Sequence, residues 1–231
     1  MIPYSDGIAA RRFPIVNAAL IAANVAVFVL YELPDPEAAI KQASFYSCNV
    51  DNACHMGYPW GVSWITAMFM HAGWDHILGN MWFLAIFGKN VEDAFGKLGY
   101  LLVYFGGGFA ATFLQTAMTL LFGSASDAQI PSLGASGAIA AVLGAYFVLY
   151  PNSSILTLLG WFPIRIPAWL FLGGWFLLQF FEGNSALVAG TGGSGVAFFA
   201  HVGGFGFGAL VTGLLVGAGR IVARRPQWDR T

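Results

Sequence analysis

The sequence predicts an all-α polytopic membrane protein: a six-helix bundle with a long outer loop between spans 1 and 2. Three observations carry that expectation. Of 231 residues, 58% are hydrophobic and only 9% charged, against about 25% charged in an ordinary soluble domain. A chain so apolar would leave much of its hydrophobic surface against water, and a bilayer removes that problem. Six apolar stretches can be traced by hydropathy, and the basic residues fall on one side when the chain crosses six times.

The stretches are Ile15–Leu33, Trp74–Gly88, Leu98–Phe122, Ala135–Tyr150, Ile166–Phe181 and Val196–Gly217. The first follows Arg11 and Arg12, as a cleaved leader would. It runs longer than a leader core and lacks a small-x-small cleavage site after Tyr31, so a retained anchor is expected. The loop Pro34–Gly73 is the longest and contains Pro34, Pro36 and Pro59. The second stretch is the least apolar, with Asp75, His76 and Asn80 in its first two turns. With the N-terminus in the cytoplasm, Arg11, Arg12, Lys89, Lys97, Arg165, Arg220, Arg224, Arg225 and Arg230 all face inward, and Lys41 alone faces outward. That asymmetry supports the orientation and the number of spans together. The expected organisation is a cytoplasmic segment 1–13, a membrane unit 14–219 and a basic cytoplasmic tail 220–231.

Several function classes are excluded at this stage. The net charge of -1 gives no footprint for nucleic acid, and no phosphate-cradling loop is present. No internal repeat appears. Cys48 and Cys54 lie in the outer loop, where an oxidising compartment allows a disulfide; two free thiols satisfy the sequence equally. With His55 they make three zinc-type ligands and no fourth.

Polar groups inside spans are costly and ask for a reason. Ser136 opens the fourth stretch in Gly134-Ala135-Ser136-Gly137. A serine there can simply cap a helix, and the motif is not the Gly-x-Ser-x-Gly elbow of soluble hydrolases. His201 precedes Gly203 and Gly204, and Gly204 with Gly208 forms a face on which another helix can pack almost backbone to backbone. A serine nucleophile needs a base within about 2.6–3.2 Å. At about 1.5 Å per residue, Ser136 lies roughly 22 Å above Pro151 and His201 roughly 24 Å above Gly217, so the two meet at similar depth. The fourth stretch is short, which sets Ser136 below the outer surface and requires an aqueous cavity there. His76 and Asn80, four residues apart, share a helix face and can both donate hydrogen bonds; an oxyanion site and a polar helix cap both fit them. His71 and His76 do not have the His-Glu-x-x-His spacing of zinc proteases.

Taken in order, these residues resemble the rhomboid family of intramembrane serine proteases. Trp64 through His71 followed by His76-Ile77-Leu78-Gly79-Asn80-Met81 matches that family's second-span motif. Gly88, Val91-Glu92 and Gly96 match the segment after it, Gly134-Ala135-Ser136-Gly137 the nucleophile motif, and His201 with Gly203-Gly204 the base motif. The resemblance implies that Ser136 is the nucleophile and His201 its general base, without a third acid. His76, Asn80 and the Ser136 N–H would form the oxyanion hole. It implies single-pass transmembrane protein substrates, a bacterial inner-membrane location, and a fifth span whose Phe171, Trp175, Phe176 and Phe180 move to admit them. No metal, nucleotide or organic cofactor is implied. Two departures stand out: Ala140 occupies the place of an aromatic beneath the histidine, and Trp60-Gly61 that of a Trp-Arg pair. A rhomboid-like protein that binds membrane clients without cleaving them is one competing reading. A small transporter is another, though no inverted repeat supports it.

Overall fold

The computed structural model describes residues 2–188 and 197–222. The expected start of the sixth span at Val196, and the tail arginines Arg224, Arg225 and Arg230, lie outside those residues. The helices are α1 (Ile15–Val27, continued as a π turn Phe28–Glu32), α2 (Pro36–Ala43), α3 (Trp60–Thr66), α4 (Trp74–Phe83, continued as a π turn Leu84–Gly88), α5 (Lys89–Phe122), α6 (Ser136–Leu149), α7 (Ala168–Val188) and α8 (Phe198–Gly217). Among the described residues, three helical runs are long and apolar enough to cross a membrane: Ile15–Glu32, Trp74–Phe122 and Phe198–Gly217. Ser136–Leu149 and Ala168–Glu182 are shorter apolar helices.

Trp74–Phe122 contains two passes. Gly96 interrupts it with φ 72° and ψ 172°, a left-handed conformation that glycine adopts without a Cβ penalty. His76 and Asn80 from its start line the same cavity as Gln115 and Met118 from its end, so the chain doubles back at Gly96. The reversal is fixed by Glu92, whose carboxylate accepts from the N–H groups of Val16 (3.1 Å) and Asn17 (2.8 Å) at the start of α1. A carboxylate at a helix N-terminus satisfies orphan donors and complements the helix dipole. Asn17 Nδ2 in turn donates to Leu84 O at 3.1 Å, and Tyr100 Oη donates to Asn17 Oδ1 at 2.7 Å.

At the centre, α6 and α8 lie almost backbone to backbone. A Cβ placed on Gly204 would stand 2.1 Å from Gly137 O, and one on Gly208 1.9 Å from Ala141 O. Gly144 is equally tight, with 2.1 Å to Phe205 O. Only glycine permits this approach, which is why the small-residue pattern around His201 is legible as a helix contact. α6 is buried along nearly its whole length, and α5 packs on the same pair.

The structure departs from the sequence expectation in three places. The outer loop is partly helical: Asp35 caps α2 by accepting from Ala38 N (3.1 Å), with Pro36 in its first turn. α3 is a second helix, so the motif assigned to the second span straddles α3 and α4. Third, a small sheet of order β1-β2-β3 joins Ile2–Ser5, Ser154–Leu159 and Phe162–Pro167 at the basic end. The fifth span therefore starts at Ala168 rather than Ile166. Ile164 and Ile166 alternate with exposed neighbours in β3, a period-2 pattern that hydropathy averaging reads as a continuation of the helix. A buried Asp6 ties the N-terminal strand down: it pairs with Lys89 Nζ at 3.1 Å and accepts from Tyr146 Oη (3.1 Å) and from Asn90 Nδ2.

Candidate functional site

Two segments of the outer region fix the approach to Ser136. Phe45 and Ser132 exchange backbone hydrogen bonds of 2.9 and 2.8 Å, and Gly134 N donates to Ala67 O at 2.8 Å. Gly134 has φ 124°, and a Cβ there would lie 2.8 Å from His76 Cε1. Glycine is thus required twice over, by its backbone conformation and by the imidazole above it. The chain then enters α6 at Ser136, whose N–H belongs to the helical first turn and has no intrahelical carbonyl to bond.

His201 Nε2 lies 2.8 Å from Ser136 Oγ. The contact spans α6 and α8, and the glycine packing described above brings them to that range. The other ring nitrogen, Nδ1, bonds Gln179 Oε1 on α7. The ring of Trp175, one turn earlier on α7, lies with its centroid 5.5 Å from the imidazole. Ala140 is fully buried in the core, and the aromatic neighbour of His201 comes from the fifth span instead.

His76 and Asn80 face the same space. His76 Nδ1 accepts from Ala72 N at 3.2 Å, so a neutral ring carries its hydrogen on Nε2. Asn80 is 8% exposed, and its Nδ2 is buried with no hydrogen-bond acceptor among the described residues. A buried amide donor without a partner is costly and calls for an explanation. His71 supports His76 from outside the spans, its ring centroid 5.1 Å away, while its N–H donates to Glu32 Oε1 at 2.7 Å. Burial, reinforced by the nearby His76, pushes the His71 imidazole down to about 4.

A cavity of about 570 Å³ joins these groups, lined by Asp75, His76, Asn80, Ser136, Trp175 and His201 among others. That is within the range of about 300–1,000 Å³ typical of ligand sites. Its walls include Phe83 of α4 and Trp175 of α7, two helices that make little contact with each other. Of the aromatics expected at a gate, Trp175 lines the cavity, Phe176 packs on Phe205 with centroids 4.7 Å apart, Phe171 packs on the main core, and Phe180 is exposed. Gly203 abuts Ala110 O, and Gly137 abuts Ala111 Cβ, so both serve helix packing. Cys48 and Cys54 are joined by a disulfide.

Gln179 escaped the sequence reading, as did the part Trp175 plays beside His201. A signal existed: Gln179 is a polar residue within an apolar span, the criterion that singled out His76 and Asn80.

These features define a class, a helical membrane bundle with a hydrogen-bonded serine–histidine pair at a cavity. The chain belongs to the rhomboid family, whose rhomboid domain matches residues 59–218. It is 32% identical over 164 residues to Rhomboid-like protein 11, chloroplastic, of Arabidopsis thaliana, covering 69% of this chain and 51% of that protein. It is 29% identical over 152 residues to Rhomboid protein 1, mitochondrial, of Saccharomyces cerevisiae, covering 66% and 41%. YdcA of Bacillus subtilis, provisionally named a rhomboid protease, is 29% identical over 147 residues, covering 63% and 68%. The chain spans about half the length of the first two.

Proposed function

We propose that the protein is an intramembrane serine endopeptidase that cleaves transmembrane segments of membrane proteins. The observation that carries this is the 2.8 Å contact between His201 Nε2 and Ser136 Oγ at a cavity also lined by His76 and Asn80, whose Nδ2 has no acceptor among the described residues. In this reading Ser136 Oγ attacks a substrate carbonyl carbon as His201 Nε2 takes the hydroxyl proton. The developing oxyanion accepts from the Ser136 N–H, Asn80 Nδ2 and His76 Nε2–H. The C–N bond then breaks as His201 returns the proton to the leaving amine. Water, deprotonated by the same nitrogen, hydrolyses the acyl-enzyme. A substrate helix must unwind first, because an intact helix engages its own carbonyls.

The protease unit is taken to run from residue 14 to residue 219, with α7 as the side through which substrate enters. The active site is taken to open on the face opposite Lys89, Lys97 and Arg165, which the positive-inside rule assigns to the outside. The Cys48–Cys54 disulfide supports an oxidising compartment on that face. A bacterial inner membrane fits both; the organellar names of two relatives belong to those proteins.

The test is cleavage of a reporter transmembrane substrate by purified protein in the presence of chelator, beside Ser136→Ala and His201→Ala. Cleavage by the parent and by neither variant is expected. Cleavage surviving in Ser136→Ala would overturn the mechanism. If no reporter is cut, labelling of Ser136 by a serine-reactive phosphonate distinguishes an enzyme of narrow specificity from an inactive relative, which would leave the probe unreacted.

A further inference from the structure

A histidine can serve as base toward Ser136 only when Nε2 carries the lone pair and Nδ1 the hydrogen. Among the described residues, neither α6 nor α8 supplies a partner to Nδ1 that selects this tautomer. The partner comes from α7: Gln179, buried at 8% exposure, places Oε1 on His201 Nδ1. An amide can present either its oxygen or its NH₂ group, and the two choices select opposite tautomers. Here Gln179 Nε2 lies 3.5 Å from Glu182 Oε2, one turn further along the same face. A carboxylate accepts only, so it holds the NH₂ end and leaves Oε1 toward the imidazole. Trp175, four residues before Gln179, covers one side of the ring.

We infer that Gln179 is a positioning residue that fixes the productive tautomer of His201, with Glu182 fixing the orientation of the Gln179 amide. This rests on the protease reading for its consequence in turnover, but not for the tautomer itself. The fifth span becomes a working part of the serine–histidine pair, supplying what Ala140 does not. Gln179 Oε1 continues to accept from Nδ1 when Nε2 takes the serine proton, so the contact persists through the step. A neutral amide stabilises that cation less than a carboxylate would.

Two readouts test it on the full chain in detergent. The first is ¹⁵N NMR of histidine-labelled protein, with His201 assigned by its loss in His201→Gln. The parent is expected to show hydrogen on Nδ1. Gln179→Leu is expected to mix the tautomers. The second is reporter kinetics. Gln179→Leu is expected to lower kcat about tenfold with KM unchanged, the size one neutral hydrogen bond supports. Gln179→Glu, which keeps an acceptor at Nδ1, should recover most of that loss, and Glu182→Gln should lower kcat a few-fold. A parent with hydrogen on Nε2, or a Gln179→Leu protein with unchanged tautomer and kcat, would overturn the assignment. So would a Gln179→Leu defect that Gln179→Glu does not repair. Should Gln179→Leu fail to fold, the Gln179→Glu and Glu182→Gln spectra decide, the first keeping the parent tautomer and the second mixing the two. A tautomer controlled by Gln179 in a protein that neither cleaves nor labels would support the assignment and refute the protease reading.

Discussion

Replacing Asn80 by alanine separates transition-state chemistry from folding. In the resting protein Asn80 Nδ2 has no acceptor among the described residues, so its loss breaks no hydrogen bond to them. A buried unsatisfied donor typically costs about 1–3 kcal/mol, and alanine removes that cost. The space vacated opens into the 570 Å³ cavity, which water can fill. The expected stability change is therefore neutral or favourable. The transition state fares differently, because an oxyanion donor is worth about 10²–10³ in kcat, or roughly 2.7–4 kcal/mol. Asn80→Ala should lose that factor in kcat, keep KM within about twofold because the interaction forms only as charge develops, and unfold thermally no earlier than the parent. Reporter kinetics and a thermal unfolding scan on the same preparation measure all three. An unchanged kcat would refute the oxyanion role. A kcat loss accompanied by early unfolding would instead make Asn80 a structural residue.

Other outcomes follow from the packing and the outer region. Gly208→Ala forces a methyl to within 1.9 Å of Ala141 O, so α6 and α8 must part; a loss of about 1–3 kcal/mol and weak reporter cleavage are expected. Gly206→Ala, with nothing within 4 Å of the added carbon, is the control and should leave unfolding and cleavage unchanged. The Cys48–Cys54 bridge closes a short loop, sequence separation 6. By loop entropy its removal in a Cys48→Ser, Cys54→Ser double variant should cost about 2–3 kcal/mol, read as a lower thermal midpoint, while Ser136 still labels with a phosphonate. His71 is held neutral with its folded value near 4, below the unfolded value of 6.5. Its contribution is complete above about pH 6.5 and is lost as pH falls from there toward 4, a span of about 3 kcal/mol. His71→Gln should flatten that part of the stability–pH curve, and an unchanged curve would refute the assignment.

Much of this architecture is visible in the amino acids because bilayer physics is strict. Each buried polar residue within a span needs a reason, and His76, Asn80, Ser136 and His201 advertised themselves by breaking apolar runs. Gly204 and Gly208 encoded the helix contact directly, since close backbone approach requires small residues at that spacing. What stayed hidden depends on partners distant in sequence. β3 resembles the start of a membrane helix until its pairing with β2 is known, because Ile164 and Ile166 are apolar in either state. α3 escaped because Trp60–Thr66 carries no cap residue, whereas Asp35-Pro36 announces α2 and could have been read. Gln179 is hidden for a different reason: its value lies in a contact with His201, in the first turn of another helix.

The strand Ile2–Ser5 bears on the order in which this chain assembles. Pro3 pairs with Thr157, a residue that emerges from the ribosome only after the first four spans have been made. Asp6 meanwhile needs Lys89 and Tyr146 to offset its burial. Residues 2–6 must therefore wait, unpaired, while four of the spans are inserted. Closure of the sheet at the basic end becomes a late event of biogenesis, one that reports that the middle of the chain has arrived. Bulk added just ahead of Ile2 would slow that late step before it touched the chemistry on the far side.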